Sequence, residues 1–434
     1  MPQTPSRTLV ATDASHSTVA ASNPHIVVIG AGIIGLSAAY HLVRGGTRVT
    51  VIDRDPLGDK ASLGNAGAIA VAEIMPASAP GALFRIARWM FDPLGPVAVR
   101  PTYAPKLLPF LWRFAKASTL PEVERICAAL AAINLRVYDD LLPMLADARL
   151  SQALHRKGAL SLYETEAGYQ RDAAEWARKR AHGIVCQDLS SAEARQLEPA
   201  LGTRVHRAVL TPQWSFVSDP KQIVDGLRQR LVQYGVLIAT EEVREILCET
   251  STVTIVGAGG TRLTADKVVI AAGAWSGRLA RGLGDRVLLE SERGYNMTLP
   301  NSGISLERQL TFAERKFVAT PLSRGLRIGG AAEFGGLSAP PNYKRSQVLV
   351  DLARRYLPGL RCEGGTSWAG HRPTTPDSLP VIGRSPRHAN VIYAFGHGHL
   401  GLTQAATTGR MVAELALDTP SSIDITPYGI ERFA

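Results

Sequence analysis

The stretch His25–Asp53, HIVVIGAGIIGLSAAYHLVRGGTRVTVID, decides the fold. His25 to Ile29 is a short apolar run rich in β-branched residues, which suits a strand buried on both faces of a parallel sheet. Gly30, Ala31, Gly32, Ile33, Ile34 and Gly35 then spell G-x-G-x-x-G. In that motif the first glycine allows a tight turn, the second lets the backbone approach a pyrophosphate, and the third lets helix pack close to strand. A helix from about Ile33 to Val43 points its N-terminal amides at the phosphate. Gly45 and Gly46 end it, and Arg48 to Ile52 form the next strand. Asp53 at that strand's tip is placed to accept hydrogen bonds from ribose hydroxyls. Strand, turn, helix and acid together predict a dinucleotide site, and the acid argues against a 2′-phosphate and so against NADP. NAD and FAD stay unseparated by this stretch.

Working outward, a chain of 434 residues is too long for one ordinary core. Its 45% hydrophobic and 20% charged residues describe a globular protein, and no apolar run approaches bilayer-crossing length. Residues 1–23 hold eight Ser/Thr and two prolines with no apolar core, so they predict a disordered tail, not a signal peptide. Cys127, Cys186, Cys248 and Cys362 are scattered and none forms C-x-x-C, which predicts a cytoplasmic protein without structural disulfides. The ten histidines show no ligand spacing, so no metal is expected. The net charge of +10 is spread without an aromatic-interleaved pattern, which makes nucleic acid a poor partner. Only Gly81–Ser118 is asymmetric: Arg85, Arg88, Arg100, Lys106, Arg113 and Lys116 stand against the single acid Asp92 among many apolar residues.

After a polar turn from Arg54 to Lys60, the small residues of Ala61–Ile69 read as a loop against a planar ligand. Seven prolines between Pro76 and Pro109 predict short, interrupted helices. From Pro121 to Leu150 the spacing is helical, with Val123, Ile126, Leu130, Ile133, Val137, Leu141 and Leu145 on one face. Tyr169–His182 reads as a polar helix. Asp219-Pro220 starts another, which Gly235 ends. Strands follow at Val236–Ala239, Val243–Cys248 and Val253–Val256, and Lys267–Ile270 runs into Ala271-Ala272-Gly273-Ala274-Trp275, a second close approach to the ligand. Leu288–Leu299, Phe317–Pro321 and Leu326–Ala332 are strand-like, with Gly329, Gly330, Gly335 and Gly336 as breaks, and Ser346–Tyr356 is helical. The last region returns to the pattern of the first, with strand Val391–Phe395, glycine turn Gly396–Gly401 and helix Thr403–Leu417.

In this order the opening unit, SLGNAGAI, VVIAAGAWS, ERGYNMTL, GHRPTTPDSLPVIG and FGHGHLGLT resemble the FAD-dependent amine and D-amino-acid oxidoreductases. The likeness is greatest to bacterial D-amino-acid dehydrogenases, including those acting on cis-4-hydroxy-D-proline. It covers the chain from Pro24 on, and the late glycine turn decides for FAD against NAD. The implied fold is α/β: a Rossmann-like FAD-binding domain (24–78, 212–284, 366–434) with a discontinuous α+β substrate-binding domain of mixed sheet and helices (79–211, 285–365).

The resemblance implies that Gly30, Gly32, Gly35 and Asp53 hold the ADP half, and that Ile33, Ile34, Arg54 and Trp275 also bind the cofactor. Ser62, Asn65, Ala66 and Gly67 would follow the pyrophosphate and flavin edge, Val243, Ala272 and Gly273 would contact FAD by backbone, and Gly398, Leu400, Gly401, Leu402 and Thr403 would surround the flavin pyrimidine. Arg372 matches the arginine that clamps a substrate carboxylate, a task suited to a planar guanidinium. Tyr295 is a second candidate donor. His397 and His399 flank Gly398 at the flavin mouth and His371 precedes Arg372; His399 is placed nearest the substrate, and one of the three reads as structural. Pro321-Leu322 stand where many relatives carry a second arginine, and no Cys or His stands where some attach FAD covalently, so the expected FAD is non-covalent. The implied reaction is hydride transfer from substrate Cα to flavin, with electrons passed to a quinone or respiratory carrier and Gly81–Ser118 a candidate peripheral contact with the inner face of the cell membrane. Two alternatives are a glycine- or sarcosine-type amine oxidase using O2, and an FAD-carrying subunit of a larger electron-transfer complex.

Overall fold

A computed structural model describes residues 23–79 and 95–434. The expected N-terminal tail, apart from Asn23, and the part of the basic segment up to residue 94 lie outside the described residues.

The first strand, His25–Ile29, is buried along its whole length. It lies inside a six-stranded sheet in the order Leu237–Thr240, Arg48–Asp53, His25–Ile29, Lys267–Ile270, Val391–Phe395, Val381–Arg384. The first five are parallel and Val381–Arg384 closes the edge antiparallel. Alternate side chains enter different cores: Ile26 and Val28 join one with the helices, Val27 and Ile29 another with the small antiparallel sheet Val243–Cys248, Val253–Gly257 and Arg262–Ala265. That is why these strands read as continuous apolar runs. Helices Ile33–Arg44 and Gly401–Ala416 cross closely on one face. A Cβ at Gly409 would fall 2.5 Å from the Ser37 carbonyl oxygen.

A second, nine-stranded sheet follows the order Thr366–Thr374, Glu290–Leu299, Gly325–Phe334, Phe317–Leu322, Gln309–Phe312, Ala159–Tyr163, Arg207–Thr211, Gln187–Ser190, with Val97–Val99 beside the end of Gly325–Phe334. Helix Lys344–Ala353 covers one face, where Leu349, Val350 and Ala353 pack with Tyr295, Met297 and Leu299. From the other face Asn296 Nδ2 donates to the Gly64 carbonyl at 2.6 Å and Arg327 Nη1 to that of Asn65 at 2.6 Å. These bonds dock the large sheet onto the segment that follows Asp53.

Several elements differ from what the sequence predicts. Strand Thr366–Thr374 pairs with Glu290–Leu299, so the large sheet extends into the stretch expected to belong to the nucleotide-binding part. Gly329 and Gly330 lie within a ten-residue strand and do not break it. Ala61–Ile69 is a one-turn helix, Ala61–Gly64, followed by strand Ala68–Ile69. Helix Ala104–Lys116 contains both Pro105 and Pro109. Pro105 sits in the first turn, where its missing amide costs nothing, and burial of Leu107, Phe110 and Phe114 offsets the bond lost at Pro109. The seven residues of the predicted face in 120–150 are all buried, but on two helices, Leu120–Asn134 and Val137–Asp147. The polar helix at 169–182 likewise divides at Asp172 into Glu166–Arg171 and Ala173–Ala181.

Candidate active site

The C-terminal ends of the parallel strands converge, as open α/β sheets require for ligand binding. Two of the three motif glycines are needed by the chain itself. A Cβ on Gly30 would lie 2.3 Å from the Ala271 oxygen, and one on Gly35 would lie 1.9 Å from the Gly30 oxygen. Gly32 is different: its Cβ would meet only Ser62 Oγ, at 3.3 Å. Asp53 pins the turn by accepting from the Ala31 amide at 2.7 Å and pairs with Lys60 Nζ at 3.0 Å. Ser62 Oγ accepts from the Ile33 amide at 3.0 Å, on the first turn of the helix.

A cavity of about 340 Å³ runs from this turn to Gly401 and Leu402. Its far wall is strand Thr366–Thr374. The glycine turn is fixed to that strand by a bridge between Thr374 and His397 and by the Gly398 amide donating to the Pro373 carbonyl at 2.8 Å. Arg372 therefore has a backbone-defined position relative to the N-terminus of helix Gly401–Ala416. Its guanidinium lies across Gly294, whose Cβ would fall 2.5 Å from Cζ. Nη1 donates to Glu292 Oε1 at 2.8 Å and Nη2 to the Gly330 carbonyl at 3.1 Å. A register shift opposite Gly294 and Tyr295 makes Ala331 the extra residue, with φ of +22°. Such a bulge re-aims the neighbouring backbone, here beside the Gly330 carbonyl that receives Arg372.

The profile of the FAD dependent oxidoreductases (DAO) matches residues 25–415. The chain belongs to this family. It is 32% identical over 417 residues to a D-amino-acid oxidase of Bradyrhizobium diazoefficiens, covering 94% of this chain and 99% of the relative. It is also 32% identical over 419 residues to a D-amino acid dehydrogenase of Sinorhizobium medicae, with the same coverage. In fold it resembles the crystal structure of glycine oxidase from Geobacillus kaustophilus, with a TM-score of 0.75 at 21% identity over 95% of this chain and 100% of that one.

As an FAD-dependent oxidoreductase the chain should offer bare backbone to a long planar ligand, and it does. Around Gly273 nothing lies within 4 Å of a Cβ position, and at Gly398 and Gly401 the nearest atom is 3.8 Å away. With Gly32 these form an open cradle along the cavity, so the residues present fit FAD. Gly30, Gly32, Ile33, Ile34, Asp53, Arg54, Ser62 and Asn65 line it from the N-terminal side. Val243, Ala272, Gly273 and Trp275 line its middle, and Gly398, Gly401 and Leu402 its far end. Gly35, Ala66, Gly67, Leu400 and Thr403 stand behind this lining. Thr403 Oγ1, for example, receives the Ala70 amide at 2.9 Å and ties the helix to strand Ala68–Ile69.

Arg372, His397 and His399 share the cavity. His397 is buried, with Nε2 bonded to Thr408 Oγ1 at 3.0 Å, and burial pushes its pKa down to about 3. It is neutral at working pH, the structural histidine of the group. Burial, with Arg293 and Arg54 nearby, also lowers His371 to about 4. His399 is exposed at the mouth. Tyr295 is not brought to Arg372. Glu292 pairs with Arg372 and Tyr295 with Ala369, three residues along a strand whose side chains alternate, so Tyr295 points to the opposite face. There its hydroxyl bonds to Glu333 and receives the Asn342 amide at 3.0 Å. The alternation Tyr295-Asn296-Met297-Thr298-Leu299 carried that signal.

Trp368, Lys60, Glu241 and Glu242 also line the cavity and do not stand out in the sequence as site residues. Trp368, Gly370 and Arg372 occupy alternate positions on one strand, a period-two pattern that could have found the first of them. Glu241 and Glu242 follow strand Leu237–Thr240, which runs parallel to Arg48–Asp53 and so ends at the same edge.

Proposed function

We propose that this flavoenzyme oxidises D-α-amino acids, D-proline and cis-4-hydroxy-D-proline among them, and passes the electrons to a quinone or another respiratory carrier. The observation that supports this most is the seat of Arg372: a guanidinium held flat at the cavity wall, one strand-to-turn hydrogen bond away from the cradle for the flavin. FAD, when bound, supplies the two-electron oxidising chemistry. Arg372 binds the substrate carboxylate through its free donors and so fixes which face of Cα is presented. His397, neutral and tied to Thr408, keeps the turn in place without adding charge. The product is an imino acid, which water converts to a 2-oxo acid when it is not cyclic. Preference for the D series is supported by the relatives named D-amino-acid oxidase and D-amino acid dehydrogenase.

For the acceptor side we place helix Ala104–Lys116 against an anionic membrane surface. Leu108 and Trp112, one turn apart, are 62% and 65% exposed, and Lys106, Arg113 and Lys116 accompany them without an acid in the helix. No helix among the described residues is long and apolar enough to cross a membrane, so such contact would be peripheral.

A panel of D- and L-amino acids, glycine and sarcosine with an artificial dye acceptor tests the substrate reading. Faster turnover of D-amino acids, D-proline included, is expected; turnover confined to glycine and sarcosine, or to the L series, overturns it. Slow reoxidation of the reduced enzyme in air and fast reoxidation by a soluble quinone are expected. Rapid reoxidation in air favours an oxidase instead.

A further inference from the structure

Glu292 sits directly opposite Arg372 across two antiparallel strands. Its Oε1 accepts from Arg372 at 2.8 Å and its Oε2 from the Thr374 hydroxyl at 3.1 Å. Neither partner is saturated. A carboxylate has about four acceptor sites, of which two are filled here, and a guanidinium has about five N–H donors, of which Arg372 commits one to Glu292 and one to Gly330. Both side chains keep some exposure, 26% for Arg372 and 19% for Glu292. The neighbouring acid on the same face, Glu290, is half-buried and already accepts from the Tyr103 hydroxyl at 2.7 Å. Glu292, bonded to the guanidinium itself, is thus the acid that stands beside the clamp, and it has acceptor capacity left.

A lone guanidinium attracts any carboxylate. One already paired with an acid is neutralised, and a simple anion gains little from it while meeting repulsion from the acid. An α-amino acid zwitterion carries a positive and a negative group on one carbon, so it matches a positive and a negative group held side by side. Complementary charge of this kind works through what it rejects as much as through what it attracts.

We propose that Glu292 determines specificity by receiving the substrate ammonium group while Arg372 holds the carboxylate, so that the site selects amino acids over 2-hydroxy acids and simple carboxylates. This rests on the assignment of Arg372 as the carboxylate clamp.

The test uses the FAD-loaded enzyme, the D-amino acid of the panel that is oxidised fastest, and the 2-hydroxy acid bearing the same side chain. KM is measured for the amino acid, and Ki for the hydroxy acid with its perturbation of the flavin absorption band. In Glu292→Gln the amino-acid KM should rise about tenfold, the scale of one charge-assisted hydrogen bond, while the hydroxy-acid Ki falls. Equal weakening of both ligands would make Glu292 a support for Arg372 only and overturns the inference. An unchanged amino-acid KM, or a hydroxy acid still excluded from the variant, overturns it too. Glu292→Ser carries the same comparison if Glu292→Gln does not retain FAD. Arg372→Ala separates the two levels: unimpaired turnover there removes the clamp itself, whereas lost turnover there with unaltered discrimination in Glu292→Gln removes only the role of Glu292.

Discussion

Gly294 is the floor on which the Arg372 guanidinium rests: a Cβ at position 294 would lie 2.5 Å from both Cζ and Nη2. No side chain larger than hydrogen fits there without moving the arginine. Gly294→Ala should therefore displace the guanidinium while leaving its charge in the cavity. Misplacement of about 1 Å can cost on the order of 10²-fold in rate, so kcat/KM should fall by that order with FAD content unchanged. Steady-state kinetics and the flavin absorbance of the purified variant check both halves. Wild-type kcat/KM in Gly294→Ala would mean that the substrate does not depend on where Arg372 lies.

Removing the arginine altogether should be costlier. Arg372→Ala leaves Glu292 without its cation and the substrate carboxylate without its partner, a loss of about 2–5 kcal/mol for such pairs. A fall in kcat/KM of about 30-fold to several thousand-fold is expected. Arg372→Lys should recover little, because an ammonium cannot reproduce the fork that reaches Glu292 and Gly330 together. Nearly full activity in the lysine variant would reduce the role of Arg372 to charge alone.

The contrast between Gly30 and Gly330 explains what sequence could tell. Gly30 belongs to a local motif whose spacing states its purpose, and strand, turn, helix and acid were legible because the whole unit, His25–Asp53, is one short continuous stretch. Gly330 is a non-local glycine. It reads as a strand breaker until the register shows that it receives Arg372 from 42 residues away. Tyr295 failed as a clamp donor for a related reason. Its place in ERGYNMTL suggested the site, but the two-residue period of the strand, visible in Tyr295, Met297 and Leu299, puts it in the core. Glu292 was not legible because nothing in its own neighbourhood distinguishes it from a solvated strand acid; only pairing with Thr366–Thr374 gives it a partner.

Burial of His397 has a consequence for acid stability. In the folded chain its pKa is pushed down to about 3 from an ordinary 6.5, so above pH 6.5 it is neutral folded or unfolded. As pH falls below 6.5 the unfolded chain takes up a proton that the folded chain refuses, and stability falls by about 1.4 kcal/mol per pH unit. His41 and His371, both lowered to about 4 mainly by burial, steepen the same slope. Burial raises Glu198 and Glu290 above the ordinary carboxylate value, but parent and variant share these groups, so the difference between the two from pH 6.5 to 5 reads His397 alone. His397→Gln should be less stable than the parent at pH 7.5, having lost the bond to Thr408, yet should lose about 2 kcal/mol less on going from pH 6.5 to 5. Urea unfolding at the two pH values measures this. Equal losses in parent and variant would show that His397 titrates normally.

The exposed face of helix Ala104–Lys116 makes the remaining prediction. Trp112 is 65% exposed, with Lys116 Nζ 5.3 Å from its ring centroid, an arrangement in which an aromatic ring enters the lipid interface while the cation stays at headgroup level. Each basic residue near an anionic surface contributes about 1 kcal/mol, an attraction that salt screens. Co-sedimentation with vesicles containing phosphatidylserine should be strong at low salt and weak in high salt. Vesicles of phosphatidylcholine alone should bind little. Trp112→Glu should abolish sedimentation while dye-linked turnover in solution is unaffected, because the residue lies outside the cavity lined by Arg372. Absence of binding by the parent at low salt, or binding untouched by Trp112→Glu, would remove this helix from the path between the enzyme and its acceptor.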